Sequence, residues 1–431
     1  MAHRWVRRSA WCAIGAAAMV GIHVLNRPVS AKPPPTDTRH AVVSLPGYSS
    51  NGTLSDPGKH DLAQVTKELD DQARAVLSGD LRTFVGAVDT DRPAFLAAQR
   101  TVWRNTRKLH FDAFSYAVDG TVEPDHVLRE PSLVLRVTTT YQIHGFDASP
   151  VQLDDGFTFV KHDGTWKLAG KSDADSRFNP DALPAPWEGS AISTFGDADY
   201  LAVVDRGRLA LAHRLVALCH RAAAASGLLL GVTNDIPTVV LATSHARGFK
   251  EFTGPDAEAA AFPLHNADGT SSHWRMVLNP AYVDQVVDDP IVLTHELTHL
   301  AMQTYLRYLP TWLTEGSAEY VGWHGHGGLP SAAMARGLHP RSLPARLPIS
   351  SDYYLDHVQL NYLEGQALVS YLVERYGTAE LVDLFQAFAA EGSGDLHYDR
   401  DLATPHLLRS VVGTSSEQLA RGAYAELVAR S

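Results

Sequence analysis

The chain has 431 residues, 45% of them hydrophobic and 20% charged, a composition typical of a globular protein with two to three domains. Its net charge of −11 argues against nucleic acid or an anionic membrane surface as a partner. The two cysteines, Cys12 and Cys219, exclude a disulfide framework and a zinc site built from thiolates.

The N-terminal segment, residues 1–31, joins basic residues to an apolar run over 9–25 and ends in small residues suited to cleavage after Ala31. This pattern is typical of a signal peptide, and the apolar run also reaches the lower length limit of an uncleaved signal anchor. Both alternatives place the body of the chain outside the cell, either secreted or anchored to the outer face of the membrane. No later segment is long and apolar enough to span, so only this segment is expected to contact a membrane.

Residues 32–60 are rich in Pro, Gly, Ser and Thr and show no periodicity, which predicts a flexible tether. Residues 61–175 show helical patterns first and strand patterns afterwards. Within them, Asp163-Gly164 predicts a hairpin turn between two strands. In an earlier strand, the residues expected to share one face alternate along the chain: Leu133, Leu135, Val137, Thr139, Tyr141 and Ile143.

This order of helices followed by an antiparallel sheet, ending in "DGTWKLAG", resembles the nuclear-transport-factor-like (SnoaL-like) α+β cone. The resemblance covers residues 61–175 and implies a cone that can hold a ligand or serve as a docking module. Residues 61–175 show no constellation of acids and histidines that would favour catalysis. The sequence therefore predicts a non-catalytic accessory domain.

Residues 176–190 contain three prolines and are predicted to be a linker. Residues 191–431 begin with a strand, a helix and two further strands, and from Asp289 onward the pattern is helical. An N-terminal α+β domain followed by a small mixed sheet with a helical C-terminal half predicts the α+β class for the chain. The last of these strands, in "SHWRMVLNP", is expected to offer an edge for an extended peptide.

The stretch "HELTH" places His295, Glu296 and His299 in a helix that is otherwise largely apolar. Residues four apart share a helix face, so both imidazoles can reach one metal ion. Glu296 lies about 100° around the helix from His295 and can contact a water on the metal without being a ligand. Burying three such polar groups is unfavourable unless something compensates them, and one zinc ion would do so.

A catalytic zinc site needs three protein ligands and an open fourth position. Glu315 is the predicted third ligand, on a second helix that begins after Pro310 with Thr311 as its cap. Glu319 lies one helical turn further along the chain. Three alternatives are open for it: it accepts a hydrogen bond from a ligand histidine and fixes its tautomer, it is itself the third ligand, or it lies on the surface.

"HELTH" together with "WLTEGSAEY" resembles the gluzincin metallopeptidases, in particular the peptidase MA-like group, which is related to the aminopeptidase N family. The resemblance implies zinc binding by His295, His299 and Glu315, with Glu296 as the general base. "LNYLEGQAL" also resembles the stretch that carries the oxyanion-binding tyrosine of that family, which implies this role for Tyr362. The Gly-x-Met-Glu-Asn stretch of the aminopeptidases is absent from this sequence, so the resemblance supports peptide hydrolysis without aminopeptidase specificity.

The sequence thus predicts a zinc-dependent metallopeptidase, residues 191–431, that hydrolyses peptides or proteins with a zinc-activated water. Glu296 takes up the proton, and Tyr362 donates to the oxyanion. One alternative is a non-catalytic secreted binding or scaffold protein with a structural zinc site. Another is hydrolysis of a non-peptide amide of the cell envelope. The sequence makes no prediction about the oligomeric state.

Overall fold

The computed structural model of the chain describes residues 57–122, 130–171, 185–232, 236–244, 259–265, 271–324, 346–355, 357–394 and 398–430. The predicted signal segment, most of the tether and residues 176–184 of the linker lie outside these ranges. Among the described helices, none has both the length and the apolar character needed to cross a membrane. The first described helix begins at Lys59, within the last residues assigned to the tether.

Helices and an antiparallel sheet form an N-terminal unit in the described residues up to 171, with strand order β1-β2-β3-β4. The predicted face of β2 is buried, and its apolar side chains share one core with Val65 and Leu69 of the first helix. The predicted hairpin is confirmed, because Asp163 and Gly164 turn with φ values of 47° and 82°. The elements are α1 (Lys59–Ser78), α2 (Leu81–Gly86), α3 (Pro93–Leu109), β1 (Phe111–Thr121), β2 (Ser132–Ile143), β3 (Val151–His162) and β4 (Thr165–Gly170).

A mixed sheet and a helical half form a C-terminal unit, so the predicted α+β class is confirmed. Its described strands are β5 (Ile192–Gly196), β6 (Tyr200–Asp205), β7 (Thr238–Ala242), β8 (Ala259–His265) and β9 (Ser271–Leu278). Its described helices are α4 (Leu209–Leu230), α5 (Val283–Asp288), α6 (Ile291–Ala301), α7 (Thr311–His324), α8 (Val358–Tyr376), α9 (Thr378–Gly392), α10 (Arg400–Leu407) and α11 (Ser416–Arg430), with a π-helical turn at Leu408–Val412.

The strand order of the C-terminal sheet is β5-β6-β7-β9-β8, which corrects one prediction. The strand in "SHWRMVLNP" is β9, and it is not an edge strand. It pairs in parallel with β7 and antiparallel with β8, so it lies between these two strands. In the described sheet, the edge beside β9 therefore belongs to β8.

The C-terminal sheet is covered on both faces. Along β9, Val277 joins the apolar core of the N-terminal unit, whereas its neighbours Met276 and Leu278 join the core formed with α4 and α6. This alternation follows from the two-residue period of a strand. The N-terminal unit and α6, the helix that carries the two predicted histidine ligands, therefore lie on opposite faces of the same sheet.

Part of the predicted linker is built into the core of the N-terminal unit. Trp187 is buried and makes edge-to-face contacts with Phe111, Phe114 and Tyr141, with ring centroids 5.2, 5.4 and 4.8 Å away. Its carbonyl accepts a hydrogen bond from Asn105 Nδ2 at 3.0 Å. Aromatic pairs of this geometry stabilise a core beyond the area they bury, so residues after 184 are packed rather than simply connecting.

A buried ion pair joins the two units. Arg275 of β9 donates from Nη2 to both carboxylate oxygens of Asp147, at 2.7 and 2.8 Å, and Asp147 also accepts from the Ile143 N–H at 2.8 Å. The two side chains are 2% and 0% exposed. A buried guanidinium keeps its proton, so the carboxylate of Asp147 is needed to balance it.

We expect Asp147→Asn to lower the free energy of unfolding by about 3–5 kcal/mol, because it leaves the Arg275 cation buried without a counter-charge. Equilibrium urea unfolding of the full chain measures the loss. Asp112→Asn is the matched control, since Asp112 pairs with His144 at the surface, where such pairs contribute about 0–1 kcal/mol. Equal, small losses in both variants would contradict the expectation.

Candidate metal centre

Two packed helices, α6 and α7, carry the residues of "HELTH" and "WLTEG". Leu293, Leu297 and Leu300 of α6 are buried in the core beneath the C-terminal sheet. His295 and His299 project together from another side of the same helix, because positions four apart share a face. The sequence pattern therefore anchors α6 by its leucines and directs its two imidazoles toward α7.

The start of α7 differs from the prediction. Thr311 was expected to cap the helix, but it is the first helical residue, and its N–H donates to Ser350 Oγ at 3.0 Å. The cap therefore comes from a serine far along the chain. Glu315 lies one turn into α7, as predicted, on the side that packs against α6.

Three predicted ligand atoms converge between the two helices. His295 Nε2 and His299 Nε2 are 3.0 Å apart, and Glu315 Oε2 lies 3.2 Å from the first and 3.5 Å from the second. All three side chains are buried. Two ligands of a tetrahedral zinc ion are separated by about 3.4 Å when each zinc–ligand bond is about 2.1 Å. The observed triangle thus has the dimensions of three corners of such a site.

The chemistry of these atoms also fits a cation. Glu315 Oε2 is buried and accepts no hydrogen bond from the described residues. The atom facing it, His295 Nε2, is free to present a lone pair, since Glu319 Oε1 lies 3.1 Å from the other ring nitrogen, Nδ1, and can hold the proton there. A cation between these three atoms would be attracted by the carboxylate oxygen and by the lone pair of each neutral imidazole. The residues therefore fit one zinc ion.

Glu319 is buried, which contradicts the alternative that it lies on the surface. Its Oε1 faces His295 Nδ1 rather than the triangle, and its Oε2 accepts from Trp323 Nε1 at 2.7 Å. This is the placement of a residue that orients a ligand histidine. Trp323 was missed by the sequence analysis, although its position four residues after Glu319 puts both on one helix face.

Glu296 is buried beside the triangle and outside it. Its Oε2 accepts from the Ala261 N–H of β8 at 2.9 Å, and its Oε1 has no hydrogen-bond partner among the described residues. Burial raises the pKa of Glu296 to about 7. Sequence reasoning missed the contact with Ala261, because no local pattern shows which strand lies against α6. One carboxylate oxygen is thus held and the other is free for chemistry.

Two tyrosines approach the same place. Tyr362 of α8 lies with its ring centroid 6.0 Å from that of His295, and its buried hydroxyl has no hydrogen-bond partner among the described residues. Tyr354 donates its hydroxyl to Glu315 Oε1 at 2.8 Å. Burial raises the pKa of both phenols well above the usual value for tyrosine, so both remain proton donors. Tyr354 was not predicted, because it lies outside any helix or strand pattern.

Comparisons with known proteins were made for the whole chain. No protein-family model and no curated protein sequence matches it. Among solved structures, a two-domain zinc metallopeptidase mutant bound to L-arginine matches with a TM-score of 0.33 and 16% identity, over 63% of this chain and 59% of that one. A mutant M1 zinc metallopeptidase from Deinococcus radiodurans, bound to a Tyr-Ser-Ala substrate, matches with a TM-score of 0.33 and 16% identity, over 74% of this chain and 62% of that one.

Five of the matching structures are described as M1 zinc metallopeptidases. The chain spans less than two thirds of the length of the first two.

Two other groups of acids and a histidine occur in the described residues. Each has ligand atoms within 4.8 Å of one another, as the triangle does, but each contains exposed side chains. Exposed carboxylates are solvated by water and need no metal ion to compensate them. The buried triangle is therefore the candidate centre. The two exposed groups are Asp89, Asp91 and His162, and Asp197, Asp199 and His220.

Proposed function

We propose that the chain is a zinc-dependent metallopeptidase. The observation that carries the proposal is a buried triangle of His295, His299 and Glu315 with the free oxygen of Glu296 beside it. A purely structural zinc site needs no additional carboxylate, whereas hydrolysis needs a general base. The proposal rests on this arrangement of side chains and not on the distant likeness to solved peptidases.

The three residues of the triangle would hold the ion and leave a fourth position for water or substrate. When bound, zinc lowers the pKa of a water molecule and polarises the carbonyl of the scissile bond. Glu296 Oε1 would take a proton from the attacking water and pass it to the leaving amine, while the Ala261 N–H keeps the other oxygen in place. Glu319 holds the proton of His295 on Nδ1.

Tyr362 is proposed to donate its hydroxyl to the carbonyl oxygen as that oxygen becomes negative. The hydroxyl has no competing acceptor among the described residues, and it is buried, where a hydrogen bond to a charged oxygen is stronger than in water. A donor of this kind contributes roughly 3 kcal/mol to the stabilisation of a transition state.

Peptides or proteins are the proposed substrates. The edge strand β8 carries Ala261, whose backbone contacts Glu296, so an extended chain added along this edge would run past the general base. We also propose that residues 191–431 form the peptidase domain, that residues 61–175 are a non-catalytic accessory domain, and that the protein acts outside the cell. Export is supported by the composition of residues 1–31 alone.

Metal analysis with a cleavage assay tests the proposal. We expect the purified full chain to contain one zinc ion and to cleave a peptide library, with activity lost to a chelator and restored by zinc. In His299→Ala we expect little bound zinc and no cleavage, because the site loses one of its three ligands. His220→Ala is the control, since His220 lies in an exposed group and should affect neither property.

Two results would contradict the proposal. Zinc binding and cleavage in His299→Ala at wild-type levels would place the metal elsewhere. A wild-type chain that binds one zinc ion but cleaves no member of the library would favour the non-catalytic alternative.

A further inference from the structure

The segment of residues 346–355 approaches the candidate metal centre from outside the two helices that supply the ligands. It consists of turns and irregular backbone before α8. Near its end, the Tyr354 hydroxyl donates to Glu315 Oε1 at 2.8 Å. This contact involves the carboxylate oxygen that does not face the histidines.

The two oxygens of Glu315 therefore have different environments. Oε1 accepts the hydrogen bond from Tyr354, whereas Oε2 lies 3.2 and 3.5 Å from the two histidine nitrogens without accepting a hydrogen bond. The terminal torsion of a glutamate has a broad, roughly two-fold profile, so little in the side chain itself keeps one oxygen in place. A hydrogen bond to Oε1 removes this freedom.

The segment that carries Tyr354 is fastened at several points. Ser350 Oγ accepts a hydrogen bond from the Thr311 N–H. The Ser350 N–H and hydroxyl in turn donate to the two carboxylate oxygens of Asp401, at 3.0 and 2.8 Å. Tyr353 donates its hydroxyl to the Asn361 carbonyl at 2.8 Å, and Asn361 Nδ2 donates back to the Tyr353 carbonyl at 2.7 Å. The phenol of Tyr354 is thus held in place before any metal binds, which avoids an ordering cost at that step.

We propose that Tyr354 is a positioning residue that commits Glu315 to offer Oε2 alone to the metal. The inference rests on the proposed zinc site and adds a residue that the ligand motifs do not contain. Its hydroxyl proton is already donated to Glu315, so Tyr354 cannot donate the same hydrogen bond to a substrate. Hydrogen-bonded partners of metal ligands of this kind typically change metal affinity by about 10-fold to 100-fold.

The test compares Tyr354→Phe with the wild-type full chain after removal of metal. Competition against a fluorescent zinc chelator is expected to show zinc affinity about 10-fold to 100-fold weaker in the variant. Tyr116→Phe is the control, because Tyr116 is also a buried tyrosine but lies in the core of the N-terminal unit, outside the triangle and the segment of residues 346–355. We expect its zinc affinity to equal that of the wild type.

A second readout separates positioning from general destabilisation. X-ray absorption at the zinc edge should show one carboxylate oxygen at bonding distance in the wild type. In Tyr354→Phe it should show a shift toward two, because the freed carboxylate can bind through both oxygens. A mere loss of stability would not change this coordination. If Tyr354→Phe does not fold, Asp401→Ala provides the same test, since it removes the two hydrogen bonds that fasten Ser350 and leaves Ser350 Oγ to accept the Thr311 N–H of α7.

The outcomes distinguish the two proposals. A wild-type chain that binds no zinc would contradict the proposed function and this inference together. If the wild type binds zinc and Tyr354→Phe shows the same zinc affinity and coordination as the wild type, only the role of Tyr354 is overturned. Equal losses in Tyr354→Phe and Tyr116→Phe would also overturn it, as would unchanged zinc affinity in Asp401→Ala where that variant is the one tested.

Discussion

Glu296→Gln is expected to keep one zinc ion per chain while it reduces peptide cleavage by about 10²- to 10⁴-fold, the range for loss of a general base. The amide has nearly the same shape as the carboxylate, and its oxygen can still accept the Ala261 N–H. It cannot take up a proton and return it to the leaving amine. Steady-state cleavage rates and metal analysis of the same preparation measure both properties.

A second buried glutamate provides the control for this substitution. Glu364 of α8 is also buried, its pKa is also raised to about 7, and its carboxylate accepts from Tyr424 away from the triangle. Glu364→Gln should therefore retain cleavage and zinc. Undiminished cleavage in Glu296→Gln would refute the mechanism. Loss of zinc in that variant would instead show that Glu296 maintains the site.

Gly316→Ala is expected to destabilise the fold by about 1–3 kcal/mol or more and to reduce zinc binding. A Cβ at Gly316 would lie 2.2 Å from the Gly365 carbonyl oxygen, which belongs to the backbone of α8 and cannot move aside by a change of rotamer. Alanine gains about 1 kcal/mol over glycine in a helix interior, which is too little to offset separation of the two helices. Unfolding in urea and zinc content measure the effects.

The expected loss of zinc binding follows from the position at which α7 and α8 are in contact, at Gly316 and Gly365. Gly316 directly follows the proposed ligand Glu315, and Gly365 lies three residues after Tyr362, so spreading α7 and α8 moves both proposed functional side chains. Gly227→Ala is the control: Gly227 is also inside a helix, but among the described residues the nearest neighbour of a Cβ there would be the Val232 carbonyl oxygen, 3.9 Å away. We expect that variant to be as stable as the wild type or more so. Equal behaviour of the two variants would show that the crossing tolerates a side chain.

The sequence by itself determined the features that depend on local spacing. Alternation predicted the buried face of β2, and Asp163-Gly164 predicted the hairpin between β3 and β4, because a strand repeats every two residues and a tight turn needs left-handed backbone. The four-residue spacing of His295 and His299 placed both imidazoles on one helix face in the same way. Glu315 was predicted as the third ligand because Pro310 ends the preceding helix, which places Glu315 one turn into the next one.

Only the tertiary structure decided which of these elements are neighbours. The pairing that makes β8 rather than β9 the edge strand, the ion pair of Arg275 with Asp147, and the hydrogen bond from Tyr354 to Glu315 all join residues far apart in the chain. Such contacts leave no periodic pattern, because they depend on how whole helices and strands pack. The sequence indicated the proposed metal-binding side chains, and the packing of α6, α7 and α8 set the distances between them.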